Sequence, residues 1–195
     1  MPRIETDAFY RAAVRRHGET ALGVHWNSAE SQELRFRILR GLLPEDIAGL
    51  TLVDAGCGFG HLHHWLAAAD DLPSCYIGLD VLESMVERAR ERTGCEILLR
   101  DCLVDPLPAA DYYLCSGAMN TLTIDETRTF IARCYEAARR GFVFNLLHGR
   151  DYGGTFNYLD PERVRGWGEH LGARVEVLAG YLYEDFSVGL FRDVT

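Results

Sequence analysis

Residues 52–62 read Leu52-Val53-Asp54-Ala55-Gly56-Cys57-Gly58-Phe59-Gly60-His61-Leu62. A short apolar run of strand type leads into three glycines at alternate positions. Beyond them Leu62, Trp65, Leu66 and Ala69 recur at helical spacing. Strand, tight turn and helix is the local prediction. Glycine tolerates the positive φ angles that such a turn demands and lets a ligand approach main-chain N–H groups closely. The positive end of the new helix favours a carboxylate or phosphate at the same point. The spacing is Gly-x-Gly-x-Gly rather than the Gly-x-Gly-x-x-Gly of dinucleotide sites, so the motif by itself names no ligand.

The same alternation runs outward from this stretch. Strand-like runs fall at 51–55, 75–79, 96–99, 112–115, 142–147, 174–179 and 185–191. Helical stripes lie between them: Leu82, Val86 and Ala89, then Phe130, Ile131, Cys134 and Ala138. Thr123-Ile124-Asp125-Glu126 reads as a capping box, with Gly141 as the expected left-handed stop of that helix. Asp160-Pro161 opens another helix that Gly172 would end. Alternating strands and helices predict an α/β, Rossmann-like fold with a mostly parallel sheet covered on both faces. The last two strands are too close for a crossover helix and should form an antiparallel hairpin at the sheet edge. Upstream, residues 5–17 and 28–42 look helical, the second with Leu34, Ile38, Leu39 and Leu42 on its apolar face. The expected organisation is a single domain over 1–195, with 1–49 as an amino-terminal helical lid and 50–195 as the core.

Composition narrows the function classes. The 195 residues are 48% hydrophobic and 25% charged, with a net charge of −9. That is ordinary globular usage, and it lacks the positive field with which proteins hold polyanionic nucleic acid. No apolar run approaches the length of a membrane span, and the amino terminus has no secretory pattern, so a cytoplasmic protein is expected. The six cysteines include no Cys-x-x-Cys pair and no zinc spacing, which fits reduced, mostly buried thiols.

The strand ends carry the candidate chemistry. The second strand ends at Asp80, where a carboxylate can accept from both hydroxyls of a ribose. The third ends in Arg100-Asp101-Cys102, where Asp101 can accept from an adenine amino group or close a turn. The fourth ends in Cys115-Ser116-Gly117-Ala118-Met119-Asn120. Small and acidic groups on successive strand ends build a crevice beside the topological switch point.

These residues resemble the class I S-adenosylmethionine-dependent methyltransferases. The 53–60 stretch looks like their first motif, Gly78-Leu79-Asp80 their second, Asp101-Cys102 their third and 111–120 their fourth. Through Gly23-Val24-His25-Trp26-Asn27-Ser28, Gln32, Arg35-Phe36, Phe144-Asn145 and Leu182-Tyr183-Glu184-Asp185-Phe186, the chain is similar to a group of small bacterial methyltransferases. The resemblance implies a seven-stranded sheet in the order 3-2-1-4-5-7-6 and S-adenosyl-L-methionine as cofactor, with S-adenosyl-L-homocysteine as product. It places Gly56, Gly58 and Gly60 against the methionine part, with Asp54 orienting its amino group. Asp80 would bind the ribose, Val81 and Met85 would flank the adenine, and Asp101 and Cys102 would meet its edge. Ser116 and Gly117 would lie beneath the sulfonium.

A sulfonium is held well by aromatic faces, and Phe59, Trp26 and Tyr10 are the candidates. Trp26 reads equally as a lid or as a plug against the core. Arg35 is a candidate partner for the cofactor carboxylate. Methyl transfer is an in-line displacement that needs a base only when the acceptor must lose a proton; His25 and His148 are the candidates, and Asn120 could orient the acceptor. His61, His63 and His64 invite a metal reading, but no carboxylate or cysteine completes a set and all three lie off the apolar stripe, so no metal is expected. The leading expectation is methyl transfer to a small molecule, at O or N. The alternatives are a cofactor-binding module that is inactive alone or needs a partner, and a tRNA or protein methyltransferase.

Overall fold

The computed structural model describes residues 28–149 and 156–193, together with Arg16 and Gly18. His25, Trp26, Tyr10 and, Arg16 apart, the expected helix over 5–17 lie outside the described residues.

Helix α1 (Ala29–Gly41) precedes strand β1 (Thr51–Ala55), and α2 (His61–Ala68) leads into β2 (Cys75–Asp80). Then come α3 (Glu83–Thr93), β3 (Glu96–Leu99) and β4 (Ala110–Cys115), followed by a short 3-10 turn over 118–121. The chain continues as α4 (Ile124–Ala137), β5 (Ala138–Leu147), α5 (Pro161–His170), β6 (Arg174–Ala179) and β7 (Asp185–Phe191). The strands form one sheet in the order β3-β2-β1-β4-β5-β7-β6. Strands β1 to β5 pair in parallel, whereas β7 runs antiparallel to both β5 and β6. The expected edge hairpin and the order implied by the resemblance are both present.

Each face of the sheet carries its own core. On one face Leu52, Tyr76, Leu114 and Val143 pack with Phe36 and Leu39 of α1, Leu62 and Leu66 of α2, and Val86 and Ala89 of α3. On the other, Val53, Ile77, Tyr113, Phe142 and Phe144 meet Phe130, Ile131 and Cys134 of α4 and Val164 of α5. Successive side chains point to opposite faces, and because both faces are covered β1, β2, β4 and β7 are buried at nearly every position. The helix starts follow the local chemistry: Ser28 caps α1, Thr123 and Glu126 form a reciprocal capping box on α4, and Asp160 caps α5 ahead of Pro161.

Three expectations are corrected. Gly141 does not stop α4; that helix ends at Ala137, and Gly141 lies inside β5 opposite Phe191. A Cβ at Gly141 would meet the Leu190 carbonyl oxygen at 2.6 Å, so the glycine serves strand packing and not helix termination. The buried face of α1 carries Gln32, Arg35, Phe36 and Leu39, while Leu34, Ile38 and Leu42 are only half-buried. The stripe is rotated because Arg35 points inward to a buried ion pair with Asp185 at the start of β7. His63 is also buried, with its ring edge-on to Tyr76 at 5.0 Å between centroids.

Candidate functional site

The glycine turn is strapped to its neighbour strand. The N–H groups of Gly56 and Cys57 both donate to the Leu79 carbonyl, at 2.8 and 2.9 Å. Gly56, Gly58 and Gly60 all have positive φ, at 83°, 53° and 75°. A Cβ at Gly56 would meet that of Ala118 at 2.2 Å, so the loop and the turn after β4 can close on each other only because this residue has no side chain. The N–H of Gly58 donates to Asp80 Oδ2 at 2.9 Å and that of Gly60 to the Cys57 carbonyl at 2.9 Å. Most of the turn's amides are therefore spent within the protein. The amides left to face a ligand are those of the first turn of α2, whose cap, Gly60, offers no side chain.

The β2 end adds Asp80, whose Oδ1 accepts from the Leu82 N–H at 3.0 Å. Burial pushes its pKa up, against these backbone donors, which pull it down. One strand over, Asp54 is 3% exposed yet lines the cleft. Its Oδ2 accepts from the Tyr76 hydroxyl at 2.5 Å. Burial raises its pKa to about 7; the Tyr76 hydrogen bond works against that rise and the Asp80 charge adds to it.

At the β3 end Asp101 closes its own turn, accepting from the N–H of Leu103 on Oδ1 at 2.8 Å and from those of Val104 and Asp105 on its carbonyl. Arg133 of α4 donates to the carbonyls of Cys102 and Asp105 and holds this loop from behind. At the β4 end the N–H of Gly117 donates to Asn145 Oδ1 at 2.9 Å, and Asn145 Nδ2 lies 3.4 Å from Ser116 Oγ. Asn145 sits in β5 and is 1% exposed. Asn120 follows in the 3-10 turn. Its carbonyl accepts from the Asn157 N–H at 2.7 Å, while its side-chain Oδ1 is buried without a hydrogen-bond partner.

These groups meet in one cleft of about 150 Å³ at the carboxyl edge of the sheet. Asp54, Gly56, Gly58, Asp80, Val81, Met85, Asp101, Cys102, Ser116, Gly117 and Asn120 all line it. Phe59 and Gly60 do not; they are buried behind the turn. Arg35 is turned away into its pair with Asp185, and His148 stands off the cleft, its ring edge-on to Phe186 at 6.1 Å. The lining also includes residues the sequence reading did not single out for a role there, among them Gln32, Leu103, Thr121, Leu122, Phe130 and Phe156. Gln32 Nε2 lies 3.5 Å from His61 Nδ1, which joins α1 to the start of α2. Asn145 and Gln32 entered the sequence reading only among the residues that carry the resemblance, with no role given; the further signal for Asn145 is an amide inside the apolar 142–147 run, and for Gln32 a polar residue on an otherwise inward face. Among the described residues no group of three or more His, Cys, Asp or Glu could hold a metal ion, and no helix is long and apolar enough to cross a membrane.

Strand order, the antiparallel β7 and the cleft above the glycine turn together define the class I methyltransferase fold. Residues 52–141 match a family model described as a methyltransferase domain. Among solved structures, the magnesium protoporphyrin IX methyltransferase of Synechocystis PCC 6803 with bound S-adenosylhomocysteine is similar at 18% identity and a TM-score of 0.69, over 84% of both chains. A TehB-like methyltransferase from Corynebacterium glutamicum matches at 17% identity and 0.69, over 94% of this chain and 98% of that one. An S-adenosylmethionine-dependent methyltransferase from Mesorhizobium loti matches at 21% and 0.67, over 82% and 98%. At such identities the likeness is one of fold. No curated protein matches the sequence.

Proposed function

We propose that this protein transfers a methyl group from S-adenosylmethionine to a small molecule, at oxygen or nitrogen, by in-line displacement. The observation that carries the reading is the shape of the cleft. Its lining combines acidic Asp54, Asp80 and Asp101 on strand ends, which we assign to the cofactor, with uncharged Gln32, Phe36, Asn120, Thr121 and Phe156, which we assign to the acceptor.

The residues fit the cofactor. The turn at Gly56 leaves no room for a Cβ, and the open first turn of α2 suits a carboxylate. Each Asp80 oxygen spends one lone pair on a backbone N–H and keeps another for a ribose hydroxyl. Val81 and Met85 would flank the adenine, with Asp101 and Cys102 at its edge. Asp54 would take the amino group, and Ser116 and Gly117 would lie beneath the sulfur. When bound, the cofactor supplies an activated methyl group on a sulfonium. The chain's task is then to align the acceptor and keep water out. Asn120, with an amide oxygen that lacks a partner, is placed to receive a donor group of the acceptor. A mostly apolar cleft of this kind, with no cluster of basic side chains among the described residues that line it, favours a small acceptor over a nucleic acid. A cytoplasmic site of action is part of the same proposal.

The test is transfer of labelled methyl groups from S-adenosylmethionine into a metabolite extract, an RNA fraction and a protein fraction. Label in the metabolite fraction is expected. Label confined to RNA or protein would overturn the small-molecule reading, and calorimetry showing no binding of S-adenosylhomocysteine would overturn the cofactor assignment.

A further inference from the structure

The buried pair Asp54 and Tyr76 lies at the heart of the cofactor end. Asp54 is opposite Gly78 in the β1–β2 register, and Tyr76 stands two residues before Gly78 on the same face. Gly78 has no side chain to fill the gap; a Cβ there would meet Cys57 Sγ at 2.8 Å. The Tyr76 hydroxyl thus reaches past it to Asp54 Oδ2, at 2.5 Å, with the tyrosine 5% exposed. His63 of α2 braces the tyrosine ring from the other side.

Among the described residues Tyr76 is the only hydrogen-bond donor to the Asp54 side chain, and no Lys, Arg or His pairs with it. The remaining titratable groups that face it offer no positive charge. They are Asp80 at the end of β2, the Cys57 thiol in the glycine turn and the Cys115 thiol at the end of β4. His63, behind Tyr76, is pushed towards its neutral form by burial and by His64. A carboxylate in an apolar wall with one donor and no counter-ion is a costly arrangement, and its missing partner is a cation arriving from the cleft.

We propose that Tyr76 is a positioning residue that holds the Asp54 carboxylate in its charged form for the cationic amino group of the cofactor, so that binding is coupled to release of a proton from Asp54. This rests on the cofactor reading given above. Burial and the Asp80 charge favour a proton on Asp54, the tyrosine hydroxyl opposes them by donating to the charged form, and the balance leaves the pKa at about 7. Below that pH an arriving ammonium group must displace a proton, and above it the site is already charged.

The experiment is calorimetric titration with S-adenosylhomocysteine from about pH 5.5 to about pH 8.5, in two buffers of different ionisation enthalpy. The wild-type affinity is expected to fall about tenfold per pH unit below an inflection near neutrality, with a buffer-dependent heat showing release of one proton. In Tyr76→Phe the inflection moves up by about one unit, so binding is about tenfold weaker near pH 7 and returns towards wild type at the alkaline end. Asp54→Asn should bind weakly at every pH with no proton release. An equal weakening of Tyr76→Phe at all pH values would show a merely structural role and overturn the inference, as would a flat wild-type profile with buffer-independent heat. If Tyr76→Phe does not fold, the wild-type buffer comparison and Asp54→Asn decide alone. Absence of any binding at the alkaline end would overturn the cofactor reading, and this inference with it.

Discussion

The two ends of the cleft are built on different terms. At the cofactor end, nearly every polar group of the frame has a partner inside the protein: the amides of Gly56 and Cys57 on Leu79, that of Gly58 on Asp80, and the Asp101 turn closed on itself and held by Arg133. At the acceptor end, Asn120 Oδ1 is buried with no partner, and the walls come from α1, the 3-10 turn and Phe156, which are far apart in the chain. A frame whose donors and acceptors are already paired keeps its shape when empty. An orphaned amide is tolerated where a ligand will complete it, because leaving a buried acceptor unmade costs about 1–3 kcal/mol. At the rigid end His63 Nδ1 is also buried without a hydrogen-bond partner, but the charged exception is Asp54, a carboxylate whose single donor does not balance its burial.

That exception supplies the largest predicted effect. Its pKa rises from 3.8 to about 7, which corresponds to about 4 kcal/mol held against the ionised group in the empty protein. The folded chain therefore binds more protons than the unfolded one between these values. The contribution of Asp54 to stability is greatest below pH 4 and is lost as the pH rises to 7. Asp54→Asn removes the titration and keeps an acceptor for Tyr76. Urea unfolding of the ligand-free variant should show a gain of up to about 4 kcal/mol near pH 8, shrinking to nothing at acid pH. Equal stability of variant and wild type near pH 8 would mean that the two ends do not differ in this way.

The next effect tests whether the paired frame is what binds. Asp80→Ala frees the Gly58 and Leu82 amides and removes the expected ribose acceptor in one step. S-adenosylhomocysteine affinity should fall at least about a hundredfold, or about 3 kcal/mol, by calorimetry. Asp80→Asn, which keeps an acceptor, should recover part of that loss. A fall of less than about threefold in Asp80→Ala would show that the glycine turn holds its ligand without the acidic strand end.

The contrast also explains what could be read from the sequence. The cofactor end is local: each strand end lies next to the turn it shapes, so the Gly56–Gly60 spacing, Asp80 and Asp101 announce themselves within a few residues. The hairpin over β6 and β7 was legible for the same reason, since its short connection admits no crossover. The rotated face of α1 was not, because Arg35 turns inward to an ion pair with Asp185 at the far end of the chain. Gly141 misled because a glycine after a helix reads as a stop, whereas here Leu190 of a non-local strand occupies the space its side chain would need. Asn145 stood out only as part of the resemblance, and its role was hidden by the apolar run around it, although its side chain fixes the Gly117 amide.

The smallest effect belongs to the acceptor end. Asn120 is held by its main chain, through Gly117 and Asn157, so its side chain can be cut back without disturbing the turn. Since Oδ1 has no internal partner, Asn120→Ala forfeits no hydrogen bond in the empty protein and should leave stability within about 1 kcal/mol of wild type. S-adenosylhomocysteine affinity should stay within about threefold, because no cofactor contact is assigned to this amide. With an acceptor found by the labelled-methyl screen, kcat/KM should drop about tenfold, the size expected for one neutral hydrogen bond made to the acceptor. Asn120→Asp, which replaces the amide by an acidic acceptor of the same shape, should spare acceptors that present an N–H or O–H and penalise anionic ones. If Asn120→Ala instead weakens S-adenosylhomocysteine as much as it weakens turnover, the amide serves the cofactor, and the division of the cleft falls between Gly117 and Phe156 rather than at Asn120.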